Sequence, residues 1–288
     1  MLKRLPFLCA ALLALAACSH DSDTGSAAQQ AAPTATSSAE AVPASTATSG
    51  TAPATAGSTV AAAPATTTSG APAPAVAAAP FVDDGKWVEG KNYFRIDPAQ
   101  PTSHPGKIEV TEVFSYGCPA CNGFHSTADQ IARSLPPNAV MNYLAASFRP
   151  DENWPMYQRA FYAAQALNLV GKTHDAMFDA VWKSGELSTY DLKASGLKPR
   201  SAWPTIEDAA KFHAKYGVDP KEFVGVANSF TVNTKMKRAD DLMKAYGVDS
   251  TPTMIVNGKY RFTASSAGGY AQSIELTQWL VAKEAAGK

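Results

Sequence analysis

A stretch of 57 residues, Thr24–Pro80, consists almost entirely of Ala, Pro, Ser, Thr and Gly. It has no aromatic residue and one charged residue, Glu40, so it cannot bury enough apolar surface to offset the entropy lost on folding. Scattered Pro and β-branched Thr disfavour the long helix that its alanines would otherwise form. We therefore expect a disordered tether here and a folded part confined to Phe81–Lys288. The alternative is a low-complexity insertion without a role.

The first 17 residues, MLKRLPFLCAALLALAA, are typical of an export signal. Two basic residues, Lys3 and Arg4, precede an apolar run that ends at Ala17. Because that run is too short to cross a bilayer as a stable helix, we expect an export signal rather than a membrane anchor.

The end of this segment, Leu15-Ala16-Ala17-Cys18, resembles the lipobox of bacterial lipoproteins. The resemblance implies that Cys18 is lipidated on its thiol and becomes the new N-terminus. Ser19 rather than Asp follows the cysteine, which in such lipoproteins favours sorting to the outer membrane. Ordinary cleavage after Ala14-Leu15-Ala16 is the alternative, and it would leave Cys18 as a free thiol.

Hydrophobic periodicity at the start of the folded part predicts a strand, a helix and a second strand. Lys107–Ser115 has the period of a strand, which places Glu112 on one face with three apolar residues. After a break at Gly117, an amphipathic helix is predicted as far as Leu135. Val140–Phe148 is nearly continuously apolar, as expected of a strand buried on both faces.

Helical periodicity follows from Trp154 to Tyr246, where Thr205 and Asp208 fit a capping box and Asp219-Pro220 fits a helix start. Strand signals return in Thr253–Thr263 around a hairpin turn of the Asn-Gly type. A last helix is predicted from about residue 270 to 286. This order predicts an α/β fold in which a helical insertion splits a small sheet.

Four cysteines occur in the chain, and two of them belong to the folded part. Cys118 and Cys121 stand three residues apart at the start of the first predicted helix, where free backbone N–H groups and the positive end of the helix dipole stabilise a thiolate. A lowered pKa makes Cys118 both a good attacking and a good leaving group, and Cys121, one turn further in, is expected to be the buried resolving thiol.

Other uses of a C-x-x-C pair are metal binding, haem attachment and a structural disulfide. Zinc would need two further ligands, and the histidines show no paired spacing to supply them, so we expect no metal. Haem attachment requires His directly after the second cysteine, where Asn122 stands. His125, one turn further along, is interpreted as a solvated helix residue rather than a catalytic one. The histidines are His20, His104, His125, His174 and His213.

Two further elements accompany the cysteine pair. Glu112 should lie beneath it among apolar neighbours, where burial raises its pKa and makes it a proton acceptor for Cys121; a solvated position at the sheet edge is the alternative. Thr251-Pro252 leads directly into the second set of strands. From sequence alone a cis bond there is improbable, since about 5–6% of X–Pro bonds are cis.

Cys118-Pro119-Ala120-Cys121 after a strand, Glu112 six positions earlier and Thr251-Pro252 before a hairpin together resemble the DsbA-like thiol:disulfide interchange proteins of the thioredoxin superfamily. The resemblance implies a thioredoxin-like fold with an inserted α-helical domain. It also implies a nucleophile at Cys118, a resolving thiol at Cys121, a buried acid at Glu112, and a cis Pro252 with the Thr251 backbone pairing with substrate. The predicted boundaries are 1–17 for the signal peptide, 18–80 for the lipidated N-terminus and linker, 81–150 and 247–288 for the two parts of the thioredoxin-like domain, and 151–246 for the insertion.

The active-site loop departs from the best-known oxidases of this family, which have Pro-His where this chain has Pro119-Ala120. The missing histidine should raise the Cys118 pKa, and 1.4 kcal/mol less thiolate stabilisation moves the potential about 30 mV towards the reducing side. We therefore expect a reduction potential between those of DsbA, about −120 mV, and thioredoxin, about −270 mV, and still oxidising.

The resemblance implies a periplasmic oxidase that donates its redox-active disulfide, without another cofactor, to unfolded exported proteins and is recharged by a quinone-linked membrane partner resembling DsbB. The alternatives are a reductase or isomerase and, in a different class, a tethered binding or chaperone module with a structural disulfide. The folded part has 23 basic and 22 acidic side chains, so no basic field exists to hold nucleic acid. Lipidation would instead associate the chain with a membrane.

Overall fold

The structure, a computed structural model, describes residues 81–288. The predicted signal peptide, the lipidation site Cys18 and the tether lie outside these residues. In chain order, the strands are β1 (Phe94–Arg95), β2 (Ile108–Phe114), β3 (Ala139–Ala145), β4 (Tyr190–Asp191), β5 (Gly196–Leu197), β6 (Thr253–Val256) and β7 (Tyr260–Thr263). The α-helices are α1 (Pro119–Ser134), α2 (Trp154–Ala166), α3 (Val170–Trp182), α4 (Ile206–Ala214), α5 (Pro220–Ala227), α6 (Phe230–Ala245), α7 (Ala264–Ala267) and α8 (Tyr270–Ala285).

Five strands form one mixed sheet in the order β1-β7-β6-β2-β3, so β2 has a strand on each side. It runs parallel to β3 and antiparallel to β6, where Glu112 stands opposite Met254. Strands β1 to β3 precede helices α2 to α6 in the chain, and β6 and β7 follow them. The predicted splitting of a small sheet by a helical insertion is confirmed, whereas the domain boundaries themselves stay a prediction.

The β6–β7 hairpin turns at the predicted residues. Asn257 and Gly258 both have positive φ angles, 53° and 65°, as a two-residue turn of this type requires. A Cβ atom at Gly258 would overlap the carbonyl oxygen of Gln100, which lies in the segment before β2. The close approach of that segment is therefore a second reason for glycine at position 258.

The predicted helix starts in the insertion are confirmed by their caps. Thr205 and Asp208 form both hydrogen bonds of a capping box at the start of α4. The Asp219 side chain accepts from two backbone N–H groups at the start of α5, and Pro220 occupies the first helical position.

The prediction that the strand after α1 is buried on both faces is wrong. It ends at Ala145 rather than Phe148, and only its last two residues are buried. Helices α1, α2 and α6 contact it, which accounts for its apolar residues. However, β3 lies at the edge of the sheet, and its open side leaves the first five residues partly exposed.

Two hydrophobic clusters meet at the start of α1. One packs Phe124 and Ile131 of that helix against α8 and the sheet. The other contains Cys118 and Cys121 and joins the end of β2 to the insertion, with Phe161 among its members. The cysteine pair therefore lies where the sheet domain meets the insertion. Among residues 81–288, none of the helices has the length and apolar character needed to cross a membrane.

Candidate active site

Cys118 is the N-cap residue of α1, and its sulfur is part of the cap. Its backbone is extended (φ −90°, ψ 117°), Pro119 follows at the first helical position, and Sγ accepts a hydrogen bond of 3.2 Å from the Cys121 N–H. Both cysteines are free thiols and both are buried. The loop and helix predicted from the sequence thus place the first sulfur on unpaired backbone donors.

The surroundings lower the pKa of the Cys118 thiol from 9.0 to about 6. A hydrogen bond from the Cys121 thiol is the largest cause; the Thr251 side chain and the backbone of Cys121 and Ala120 act in the same direction, against the effect of burial. The predicted lowering of this pKa is thus found in the structure, so Cys118 is mainly a thiolate at neutral pH.

Cys121 has the opposite behaviour. It is completely buried, and this burial, together with the neighbouring Cys118, raises its pKa well above the usual range. Its thiol stays protonated and can donate a hydrogen bond to the Cys118 thiolate. The two sulfurs therefore differ in pKa, whereas their roles as nucleophile and resolving thiol stay a prediction.

Glu112 lies in the interior strand β2 and is 1% exposed, which excludes the solvated sheet-edge position. Its Oε1 atom is buried without a hydrogen-bond partner among the described residues. Burial, followed by the charges of Cys118 and Asp129, raises its pKa from 4.5 to about 8. The carboxyl group is therefore mainly protonated at neutral pH and ionises close to the working range of the thiols.

The Thr251-Pro252 peptide bond is cis, as the resemblance implies. The Cys118 thiol lies 3.5 Å from the Thr251 carbonyl oxygen, so the turn and the cysteine face each other. Beside them is an open groove of about 450 Å³, with Ala120, Pro252, Thr263, Ala264 and Tyr270 among its lining residues.

The insertion supplies residues of the site that the sequence analysis missed. Trp154 and Tyr157 pack so tightly on Gly117 that a Cβ atom there would lie 2.9–3.0 Å from their rings. Trp182 donates a hydrogen bond of 2.8 Å from Nε1 to the carbonyl oxygen of Tyr116. These contacts hold the loop before Cys118, and the strand-breaking Tyr116-Gly117 pair is their only signal in the sequence.

The interpretation of His125 as a solvated residue is wrong. Its side chain is 17% exposed and lies between α1 and α3, with its ring centroid 4.6 Å from that of Phe178 and Nε2 at 3.3 Å from Asp175 Oδ1. Periodicity on α1 alone could not show that α3 covers this position.

The sequence pattern of the Thioredoxin family matches residues 105–275. The thiol:disulfide interchange protein DsbA of Pseudomonas aeruginosa is 34% identical over 200 residues, which cover 69% of this chain and 87% of that protein. The DsbA of Azotobacter vinelandii is 33% identical over 195 residues, which cover 68% of this chain and 83% of that protein.

Solved structures show the same similarity. The crystal structure of Pseudomonas aeruginosa DsbA, 34% identical, superposes with a TM-score of 0.60 and covers 71% of this chain and 97% of that chain. The oxidoreductase DsbA from Xylella fastidiosa, 28% identical, gives a TM-score of 0.61 and covers 69% of this chain and 98% of that chain. These comparisons confirm the predicted α/β, thioredoxin-like fold with a helical insertion.

Proposed function

The chain belongs to the DsbA-like thiol:disulfide oxidoreductases of the thioredoxin superfamily, and we propose that it is an oxidase that donates a Cys118–Cys121 disulfide to exported proteins. The observation that carries this proposal is the stabilised Cys118 thiolate, with a pKa of about 6. Interactions that favour this thiolate favour the reduced protein, so they make the disulfide a stronger oxidant.

In the first step a substrate thiolate attacks Sγ of Cys118 in the oxidised protein. The intramolecular S–S bond breaks, a mixed disulfide forms, and Cys121 leaves with the electron pair. Glu112, whose pKa is raised chiefly by burial, supplies the proton that this buried sulfur needs, because burial strongly disfavours a Cys121 thiolate.

In the second step another thiolate of the substrate attacks the substrate sulfur of the mixed disulfide, and the bond from that sulfur to Cys118 Sγ breaks. Cys118 leaves as a stable thiolate, the substrate has lost two electrons as a disulfide, and the protein has gained them as a dithiol. We expect the Thr251 carbonyl, 3.5 Å from Cys118 Sγ, to pair with an extended substrate backbone.

Reoxidation reverses this chemistry on the disulfide of a quinone-linked membrane partner resembling DsbB. The Cys118 thiolate attacks that disulfide, and ionised Glu112 accepts the proton when Cys121 resolves the intermediate. We place the reaction in the periplasm, with the chain anchored to the outer membrane through lipidated Cys18. Palmitate labelling tests the anchor, and a Cys18→Ala variant that still takes up label would contradict it.

The reduction potential of the Cys118–Cys121 pair, measured by equilibration with glutathione, tests the proposed direction. We expect a value between about −120 and −270 mV, and a reduced protein that is more stable than the oxidised one. Cys118→Ser is the inactive control. A value as low as that of thioredoxin would indicate a reductase, and a disulfide that resists glutathione and stabilises the fold would indicate a structural bond.

A further inference from the structure

A second cluster of ligand-forming side chains lies further along the helix that carries the thiols. His125 and Asp129 are one and two turns beyond Cys121 on α1, and Asp175 comes from α3 in the insertion. The potential ligand atoms of the three residues all lie within 4.8 Å of one another. His125 Nε2 is 3.3 Å from Asp175 Oδ1.

The charges in this cluster are not balanced. Among the described residues, the only Lys or Arg within ion-pair distance of either carboxylate is Arg133, whose Nη1 lies 3.9 Å from Asp129. The negative charge of this cluster also acts on the buried Glu112, because the charge of Asp129 helps to raise the Glu112 pKa. A bound cation would compensate two carboxylates held this close together.

The geometry suits chelation. An i, i+4 pair such as His125 and Asp129 lies on one face of a helix, where two side chains can hold one ion. The His125 ring is held by Phe178 and by the ring of His174, whose centroid lies 5.5 Å away. Its Nε2 atom faces Asp175 Oδ1 at 3.3 Å, on the side where the ion would bind.

To bind a metal ion, the three ligand atoms must move closer together. Ligands at about 2.1 Å from a tetrahedral zinc ion stand roughly 3.4 Å apart, so the cluster needs a contraction of about 1.4 Å at most. The Asp175 side chain is 73% exposed and can rotate to provide it. A half-buried imidazole and two carboxylates are a donor set for divalent transition ions such as zinc.

We propose that His125, Asp129 and Asp175 form a binding site for a divalent transition-metal ion, with water completing the coordination. An ion held there ties α1, which carries both cysteines, to α3 of the insertion. The site does not include the thiols. The proposal of metal binding therefore does not depend on the direction of the redox reaction.

Calorimetric titration with zinc chloride tests the site. The full-length protein is used in its oxidised form, so that Cys118 and Cys121 cannot bind the metal themselves. We expect one zinc ion per chain, with affinity reduced at least tenfold in Asp175→Asn, Asp129→Asn and His125→Gln. Asp179→Asn is the matched control, because Asp179 lies one turn further along α3 and pairs with Lys183 outside the cluster.

Thermal unfolding provides a second measurement. Zinc should raise the Tm of the wild-type protein and of Asp179→Asn, since a ligand that binds only the folded state stabilises it, and should raise the Tm of Asp175→Asn less. Asp175 is exposed, so this variant should fold normally. Absence of binding, equal binding by wild type and Asp175→Asn, or an equal loss in Asp179→Asn would overturn the proposal.

Discussion

The backbone N–H of Cys121 donates a hydrogen bond of 3.2 Å to the sulfur of Cys118, so the buried cysteine stabilises a thiolate on its neighbour. The Cys121 thiol adds to this effect, whereas its own pKa is raised by burial. One turn of helix thus separates a sulfur that ionises readily from one that stays protonated. Because of this difference in pKa, we expect Cys118 to be the sulfur that leaves the mixed disulfide with a substrate. The difference in pKa can be measured directly.

The reduced protein should react with iodoacetamide in a pH-dependent manner that follows ionisation of Cys118. We expect the alkylation rate to rise with a midpoint near pH 6, because only the thiolate reacts and the pKa of Cys118 is about 6. Cys118→Ser is the control and should show no transition there, since Cys121 remains protonated. A midpoint near 9 would show that the helix start does not stabilise the thiolate.

Glu112→Gln should stabilise the reduced protein at pH 7. The folded-state pKa of Glu112, about 8, is raised above the ordinary 4.5. The free energy of unfolding that depends on this group is therefore fully present below pH 4.5, and it is lost as the pH rises through 8. Removing the ionisable group should therefore add on the order of 3 kcal/mol to the free energy of unfolding at pH 7 and little at pH 4. Urea unfolding at the two pH values measures the difference.

The neighbouring Glu109 is the matched control, because it lies on the same strand and is equally buried but hydrogen-bonded. Its oxygens accept from the Ser103 N–H and from Thr111 and Asn142 side chains, and one lies 2.6 Å from His104 Nδ1. Glu109→Gln should destabilise the protein by about 1–3 kcal/mol, since part of this network is lost. Equal effects of the two substitutions at pH 7 would contradict the difference that we infer.

Gly117→Ala should destabilise the protein and slow the reaction of Cys118. The added Cβ would lie 2.9 Å from Tyr157 and 3.0 Å from Trp154, so the loop or the insertion must move, at a cost of about 1–3 kcal/mol. Gly171→Ala is the control, because its Cβ meets no atom of residues 81–288 within 4 Å and the site is helical. It should be neutral or slightly stabilising. Denaturant unfolding and alkylation rates distinguish the two variants.

Elements whose structure depends only on neighbours in the chain follow directly from the sequence. The capping box at Thr205, the Asn257-Gly258 turn and the start of α1 at Pro119 depend on a few consecutive residues, and all were predicted. Strand β1 and the β4–β5 ribbon were missed because strands of two residues carry no periodicity.

Contacts between distant segments account for the remaining differences. The packing of Trp154 on Gly117 and the meeting of His125 with Asp175 depend on how the insertion docks against α1. No local pattern encodes that docking. The buried position of Glu112 was predicted because strand alternation is local, but the size of its pKa shift required the surrounding structure.

Ala120→His should make the disulfide more oxidising. Ala120 is exposed at the start of α1, so a histidine fits there without displacing the core, and it would place a further donor or positive charge near Cys118. Each 1.4 kcal/mol of added thiolate stabilisation should raise the reduction potential by about 30 mV, and the Cys118 pKa should fall below 6 in parallel. Glutathione equilibration and the alkylation profile measure the two quantities. Ala120→Gln, in which the new side chain is similar in size to histidine but uncharged, is the control. An equal rise in reduction potential for both variants would show that charge at this position does not set the potential.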